Sequence, residues 1–197
     1  MLVRLVVLFC WTLIGFNAVA QSEEQRQRVA IERLFEALRT MAVVEHLILP
    51  TQLRNQAVES WGFQPLTLGV DEVLAMEERV DRRALREEIV EAHLAYLSAA
   101  QALEAAQFFE SAPARRVWAA QVRDSLPSSD PMRQAKLPPP SAEDQRALEE
   151  FSRSPVGMHL TKVNPAINSR VQIAIEAATD AAIGKYVAAR GLPNTRR

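Results

Sequence analysis

Apolar residues in this chain recur at three- and four-residue steps, and no run sustains the every-other-residue alternation of a half-buried strand. Ile31, Leu34, Phe35, Leu38, Met41 and Ala42 form the plainest stripe. At 3.6 residues per turn these side chains share one side of a helix. A helix that is apolar along one stripe must bury it against another element. The chain is therefore expected to be all-α, a single-domain bundle of about six to eight helices. Abundant alanine and leucine, with only six glycines, agree with that reading.

Punctuation divides the stripes. Ser22-Glu23-Glu24-Gln25 has the spacing of a capping box. The first stripe is expected to end near Pro50, because proline lacks an N–H and disfavours helix in the residue before it. A short helix should follow from Thr51 to Ser60, broken by Trp61-Gly62-Phe63-Gln64-Pro65, and another from a cap at Asp71 through Val80. Arg82 to Glu110 reads as the longest helix, with Leu85, Ile89, Ala92, Tyr96, Ala99, Leu103 and Ala106 along one face. Ser111-Ala112-Pro113 restarts the chain through Arg123. The Pro-rich stretch 126–140 is a linker inside the domain. Ser141 and Asp144 cap a helix reaching Ser152, and Ser154-Pro155 opens the next. Pro165 is expected to kink or reset that helix. An alanine-rich helix then carries Ile167, Val171, Ala174, Ile175, Ala178 and Ile183 to a glycine C-cap at Gly191, and 191–197 reads as a flexible tail.

The first twenty residues read differently. Arg4 precedes an apolar run of about twelve residues, Leu5 to Phe16, and Ala18-Val19-Ala20 places small residues before a cut. The run falls short of the roughly 20 residues that span a bilayer. Residues 1–20 are thus expected to be a signal peptide cleaved after Ala20. That leaves a periplasmic domain over 21–190 with no transmembrane span. Cys10 lies inside the apolar run, and Val7-Leu8-Phe9 before it lack the small side chains of a lipidation signal. It is also the sole cysteine, so the mature chain has no disulfide, thiolate metal site or thiol nucleophile. Removing Arg4 from 23 cations leaves 22 against 24 anions, a formal charge of −2. Nucleic acid is not an expected partner, because binding it draws on an excess of Lys and Arg.

One pattern occurs twice. Phe109 to Pro113 and Phe151 to Pro155 both run Phe, two residues, a small residue, Pro, at a spacing of 151 − 109 = 42. In each copy a helix ends at an aromatic, Ser111 or Ser154 caps the next, and Pro113 or Pro155 sets its first turn. The expected product is two helix–corner–helix elbows, each plugged by a phenylalanine. From Ser141 onward the second copy resembles the secreted bacterial helical proteins called domain of unknown function 2059. Leu148, Phe151, Ser154, Pro155, Gly157, Lys162 and Pro165 match that family's pattern, and Ser152 stands where a second aromatic is usual. The likeness covers 141–189 and implies fold and compartment, with no catalytic residue. Gly157 is expected to mark a close helix crossing, and Lys162 to cap carbonyls or pair with Glu149 or Glu150.

A search for chemistry returns little. His46, His93 and His159 lack the His-Glu-x-x-His spacing of zinc proteases. No Gly-x-Ser-x-Gly elbow or glycine-rich phosphate loop occurs. Glu87 and Glu91 share a helix face, with Arg83 four residues before Glu87, which reads as a surface ion-pair lattice. Arg26, Arg28, Arg33 and Arg39 are interleaved with Glu23, Glu24, Glu32 and Glu36, a mixed face unlike the basic one of a membrane-surface helix. No catalytic, cofactor or metal residue is expected. The reading is a non-catalytic periplasmic protein, not an enzyme, that binds a protein or an envelope component. Trp61, Phe63 and Leu66 form the candidate contact patch. The alternative is a carrier of a small apolar ligand, held where Ala99–Ala106 and Ala174–Ala182 leave room between helices.

Overall fold

The structure is a computed structural model, and it describes residues 23–64, 68–125 and 139–192. Among these residues it is all helical, without a strand. The signal-peptide and linker expectations fall on 1–20 and 126–138, outside the described residues, as do Ser22 and the tail from 193.

Helix α1 covers 23–38 and buries Ile31, Leu34 and Phe35. It ends at Arg39, held in the left-handed region (φ 51°). The indole Nε1–H of Trp118 donates to the Leu38 carbonyl at 2.7 Å, which satisfies an acceptor the helix end leaves open. The chain continues through α2 (Thr40–Val43), a π-helical turn (Val44–Ile48) and α3 (Leu49–Glu59). Pro50 therefore does not stop the helical path. It sits in the first turn of α3, where its missing N–H costs nothing. Helix α4 (Val70–Glu77) is preceded by Gly69 as its cap, and Asp71 stands inside the first turn rather than at the cap.

The expected helix from Arg82 to Glu110 is two helices, α5 (Arg82–Leu94) and α6 (Ala99–Glu110). The break is local chemistry. Ser98 Oγ accepts from the Gln101 N–H at 3.3 Å, and Gln101 Oε1 accepts from the Ser98 N–H at 2.9 Å, closing a capping box. Gln27 Nε2 donates to the Leu94 and Leu97 carbonyls at 2.8 and 2.6 Å, satisfying acceptors around the break. The break also rotates the apolar face. Leu97 enters the core, Ala102, Ala105 and Ala106 are buried, and Leu103 stays exposed.

Helix α7 (Ala112–Ser125) and α8 (Ala142–Arg153) lead to α9 (Pro155–Ala189). At 35 residues α9 is the true long helix, about 52 Å from end to end. It packs against α3, α4, α5, α6 and α8 and is the spine of the bundle. Pro165 neither resets nor ends it. Proline removes one backbone hydrogen bond, yet Val156 and Gly157 on one side and Ile167, Ile175 and Ile183 on the other are all buried. Packing on both sides holds the segment helical. The helix closes with a Schellman motif. Leu192 N–H donates to the Val187 carbonyl at 3.1 Å and Gly191 N–H to Ala188 at 3.2 Å, with Gly191 at φ 61°.

The two elbows touch. Phe108 and Phe151 stack with centroids 3.9 Å apart and planes 3° from parallel, and Phe109 meets Phe151 edge-on at 5.8 Å. The structural repeat is one residue out of register with the sequence pattern. Ser111 N–H donates to the Phe108 carbonyl and Ser154 N–H to the Phe151 carbonyl, both at 2.9 Å, so the equivalent of Phe151 is Phe108. The spacing is 151 − 108 = 43. The same 43 relates the capping serines Ser98 and Ser141, and their partners Gln101 and Asp144. It also relates Ala114 and Gly157, whose N–H groups bond to the Ser111 and Ser154 hydroxyls. Pro155 is the first residue of its helix and Pro113 the second of its own, so the prolines misled the alignment by one.

Candidate functional site

The three residues of the candidate contact patch are placed differently. Trp61 is only 5% exposed, and its Nε1–H donates to Asp180 Oδ1 at 3.0 Å. Its ring lies against Gly184, where a methyl group would come within 3.4 Å. Phe63 is half-buried and tilts onto Tyr186 with centroids 6.3 Å apart. Leu66 lies outside the described residues. Trp61 pins the loop after α3 onto α9, so this residue is part of the packing against the spine.

Five of the seven family-pattern residues, Leu148, Phe151, Ser154, Pro155 and Gly157, flank the second elbow. Leu148 and Phe151 are half-buried, Ser154 caps α9 by accepting from the Gly157 N–H at 3.1 Å, and Pro155 sits in the first turn. A Cβ at Gly157 would fall 1.9 Å from the Phe151 carbonyl oxygen. The close approach is thus to the last turn of α8 within the same elbow, not to the crossing helix of the other. Pro165 and Lys162 are exposed, and Lys162 forms no ion pair among the described residues. Glu149 is paired with Arg153 at 3.6 Å instead. The first five residues of the pattern build a corner between α8 and α9.

The ionisable groups sort in the same way. His46 is exposed. His93 Nδ1–H donates to the Ile89 carbonyl at 2.8 Å, and its ring meets Phe35 edge-on at 4.7 Å. Burial pushes its pKa below the ordinary value, and the bond to the Ile89 carbonyl opposes that shift. His159 Nε2–H donates to the Tyr96 carbonyl at 2.9 Å. Among the described residues no group of three or more His, Cys, Asp or Glu could hold a metal ion. Glu87 and Glu91 are bridged by Arg28 of α1 at 2.7 and 2.5 Å, so their partner comes from another helix rather than from Arg83. Asp144, nearly inaccessible, takes Arg116 in a forked contact (Nε to Oδ1 and Oδ2 at 3.1 and 3.0 Å, Nη2 to Oδ1 at 2.5 Å). That guanidinium, helped by the Ser141 N–H, holds the Asp144 carboxyl well below the usual carboxylate range.

What the tertiary structure adds is a groove of about 630 Å³ between α5 and α9. The two helices run antiparallel. Arg79, just before α5, lies over the Tyr186 ring, and Arg170 lies over the Tyr96 ring just after α5. Leu85, Ala92, Ala174 and Ala178 give the groove an apolar floor, with Ala177, Ala181 and the 62% exposed Ile173 on the α9 side. Its α5 wall carries Asp81, Glu88 and Glu91, and its α9 wall carries Arg170 and Lys185. A second groove, about 440 Å³, lies between α1 and α6 on Val29, Ala30, Ala99, Ala100 and Leu103. Arg33 on its rim is already matched to Glu110, at 2.7 and 2.6 Å. The two alanine-rich faces therefore each open onto a groove. Glu88, Arg170 and Lys185 were not singled out from sequence. Nothing local marks them, since only the antiparallel pairing of helices distant in the chain brings them together.

Among the described residues no helix is long and apolar enough to cross a membrane. No family model matches the chain, and no curated protein or solved structure does.

Proposed function

We propose that this is a non-catalytic protein of the bacterial periplasm that works by binding a protein or envelope component in the α5/α9 groove. The observation that carries the reading is that groove: an apolar floor open to solvent between two charged walls. Small side chains on α9 let an incoming group approach the backbone closely, as helix packing favours. The placement in the periplasm rests on the first twenty residues, with Arg4, the apolar run and Ala18-Val19-Ala20. Kinship with the domain of unknown function 2059 proteins is part of the same proposal, and it rests on Leu148, Phe151, Ser154, Pro155, Gly157, Lys162 and Pro165.

A second reading has its own support. Ala174, Ala177, Ala178 and Ala181 line one groove and Ala99 and Ala100 the other, so part of each alanine-rich face is open. Such space suits a small apolar ligand. Native mass spectrometry of the protein recovered from the periplasm, before and after organic extraction, separates the two. A mass equal to the bare chain in both spectra is expected. A bound mass that extraction removes would replace the protein-binding reading with the carrier.

A further inference from the structure

We infer that the α5/α9 groove receives an amphipathic helix of a partner protein, about four turns long, with basic residues along one flank and acidic residues along the other. The inference deepens the binding reading above and rests on it. The lining of the groove runs along α9 from Arg170 to Lys185, fifteen steps of 1.5 Å or roughly 22 Å. That length matches four turns of one helix. A strip about 22 Å long and about 10 Å wide, the breadth of one helix, covers roughly 220 Å², well under the roughly 800 Å² per partner of a stable protein–protein interface, so a helical segment fits it better than the face of a second copy.

The charges choose the occupant. The α5 wall is acidic throughout, with Asp81, Glu88 and Glu91, and the α9 wall is basic at both ends, with Arg170 and Lys185. Glu91 already meets Arg28, and Asp81 caps α5 by accepting from the Ala84 N–H, so Glu88 is the freest of the three. Arg170 lies over the Tyr96 ring at 5.3 Å. An anionic amphiphile would set its head near one cation but against a wall of carboxylates. A helix with an apolar ridge and oppositely charged flanks meets both walls at once, by the logic that flanking charges use to select partners in helical bundles.

Three synthetic fifteen-residue helical peptides test this against the full chain. They share a leucine ridge and carry lysine on one flank and glutamate on the other, lysine on both, or glutamate on both. The mixed peptide should bind roughly tenfold tighter than either uniform one, because each exposed charge pair is worth a fraction of a kilocalorie and several act together. Reversing the basic wall with Arg170→Glu and Lys185→Glu, both exposed, should move the preference to the all-lysine peptide. Ala177→Trp, also at an exposed position, should abolish binding of all three, with the helical circular dichroism of each variant unchanged. Equal binding of the three peptides would overturn the charge-selected helix and leave a groove that binds by its apolar floor. Binding that survives Ala177→Trp would move the site elsewhere. Failure of every peptide, together with a clean bare mass in the native spectrum, would overturn the groove as a binding site altogether.

Discussion

The two elbows follow one local plan in two different surroundings. Each begins with a capped twelve-residue helix and turns at a serine three residues past a phenylalanine, with the same backbone bond at 2.9 Å. The first helix of the first elbow buries Ala102, Ala105 and Ala106, whereas that of the second buries only Asp144. Where the first elbow accepts Ala114, the second demands Gly157. At the cap, the first uses neutral Gln101 and the second uses Asp144 tied to Arg116 across to α7. The repeated serine and phenylalanine set the corner. How tightly the corner closes, and whether its cap carries charge, depends on what packs beside it.

That contrast can be broken most sharply at the glycine. Gly157→Ala should destabilise the fold by about 3 kcal/mol, because its methyl collides with backbone and not with a flexible side chain. The reciprocal Ala114→Gly should cost only about 1 kcal/mol, the ordinary penalty of glycine in a helix. Urea denaturation of the two variants reads the asymmetry directly, and equal losses would mean that the corners are interchangeable.

Next in size is the charged cap. Asp144 is ionised in the fold at a pH where the unfolded chain, with the ordinary value of 3.8, takes up a proton. Its folded pKa is depressed, so its contribution is complete above the unfolded value of 3.8 and is lost as pH falls from there through the folded pKa. Thermal unfolding of Asp144→Asn should therefore lie below wild type at neutral pH, and the gap should close in acid. Replacing Gln101 by Ala in the first elbow should give a difference that does not change with pH.

The stacked rings come third. Phe151→Ala should cost about 2 kcal/mol, less than a fully buried phenylalanine because the ring is half-buried. A double-mutant cycle with Phe108→Ala should return a coupling of about 1 kcal/mol. No coupling would mean that the rings are neighbours without energetic linkage, and the elbows would be independent. Smallest are the caps. Ser154→Ala and Ser111→Ala should each cost about 1 kcal/mol, with Ser154 the larger because its hydroxyl lies 3.1 Å from its donor against 3.4 Å at Ser111.

The sequence alone determined the helical class, the caps at Ser111, Ser141 and Ser154, the restarts at Pro113 and Pro155 and the glycine end of α9, because each depends on backbone groups within a few residues of one another. The same local reach explains its errors. A stripe through Tyr96 and Ala99 reads as one helix until the Ser98–Gln101 box and Leu97 burial break it, and Pro165 reads as a reset until burial on both sides carries the helix through. Aromatic identity pointed to Phe109, while the stacking that fixes Phe108 as the equivalent of Phe151 exists only once two hairpins meet. Whether Trp61 is buried or part of a contact patch could not be read from sequence, because its partners, Asp180 and Gly184, lie more than a hundred residues away. The groove belongs wholly to the tertiary structure. Its acidic wall and its basic wall come from helices that only antiparallel packing places side by side, and charges on separate helices have no spacing in sequence from which a shared site can be read.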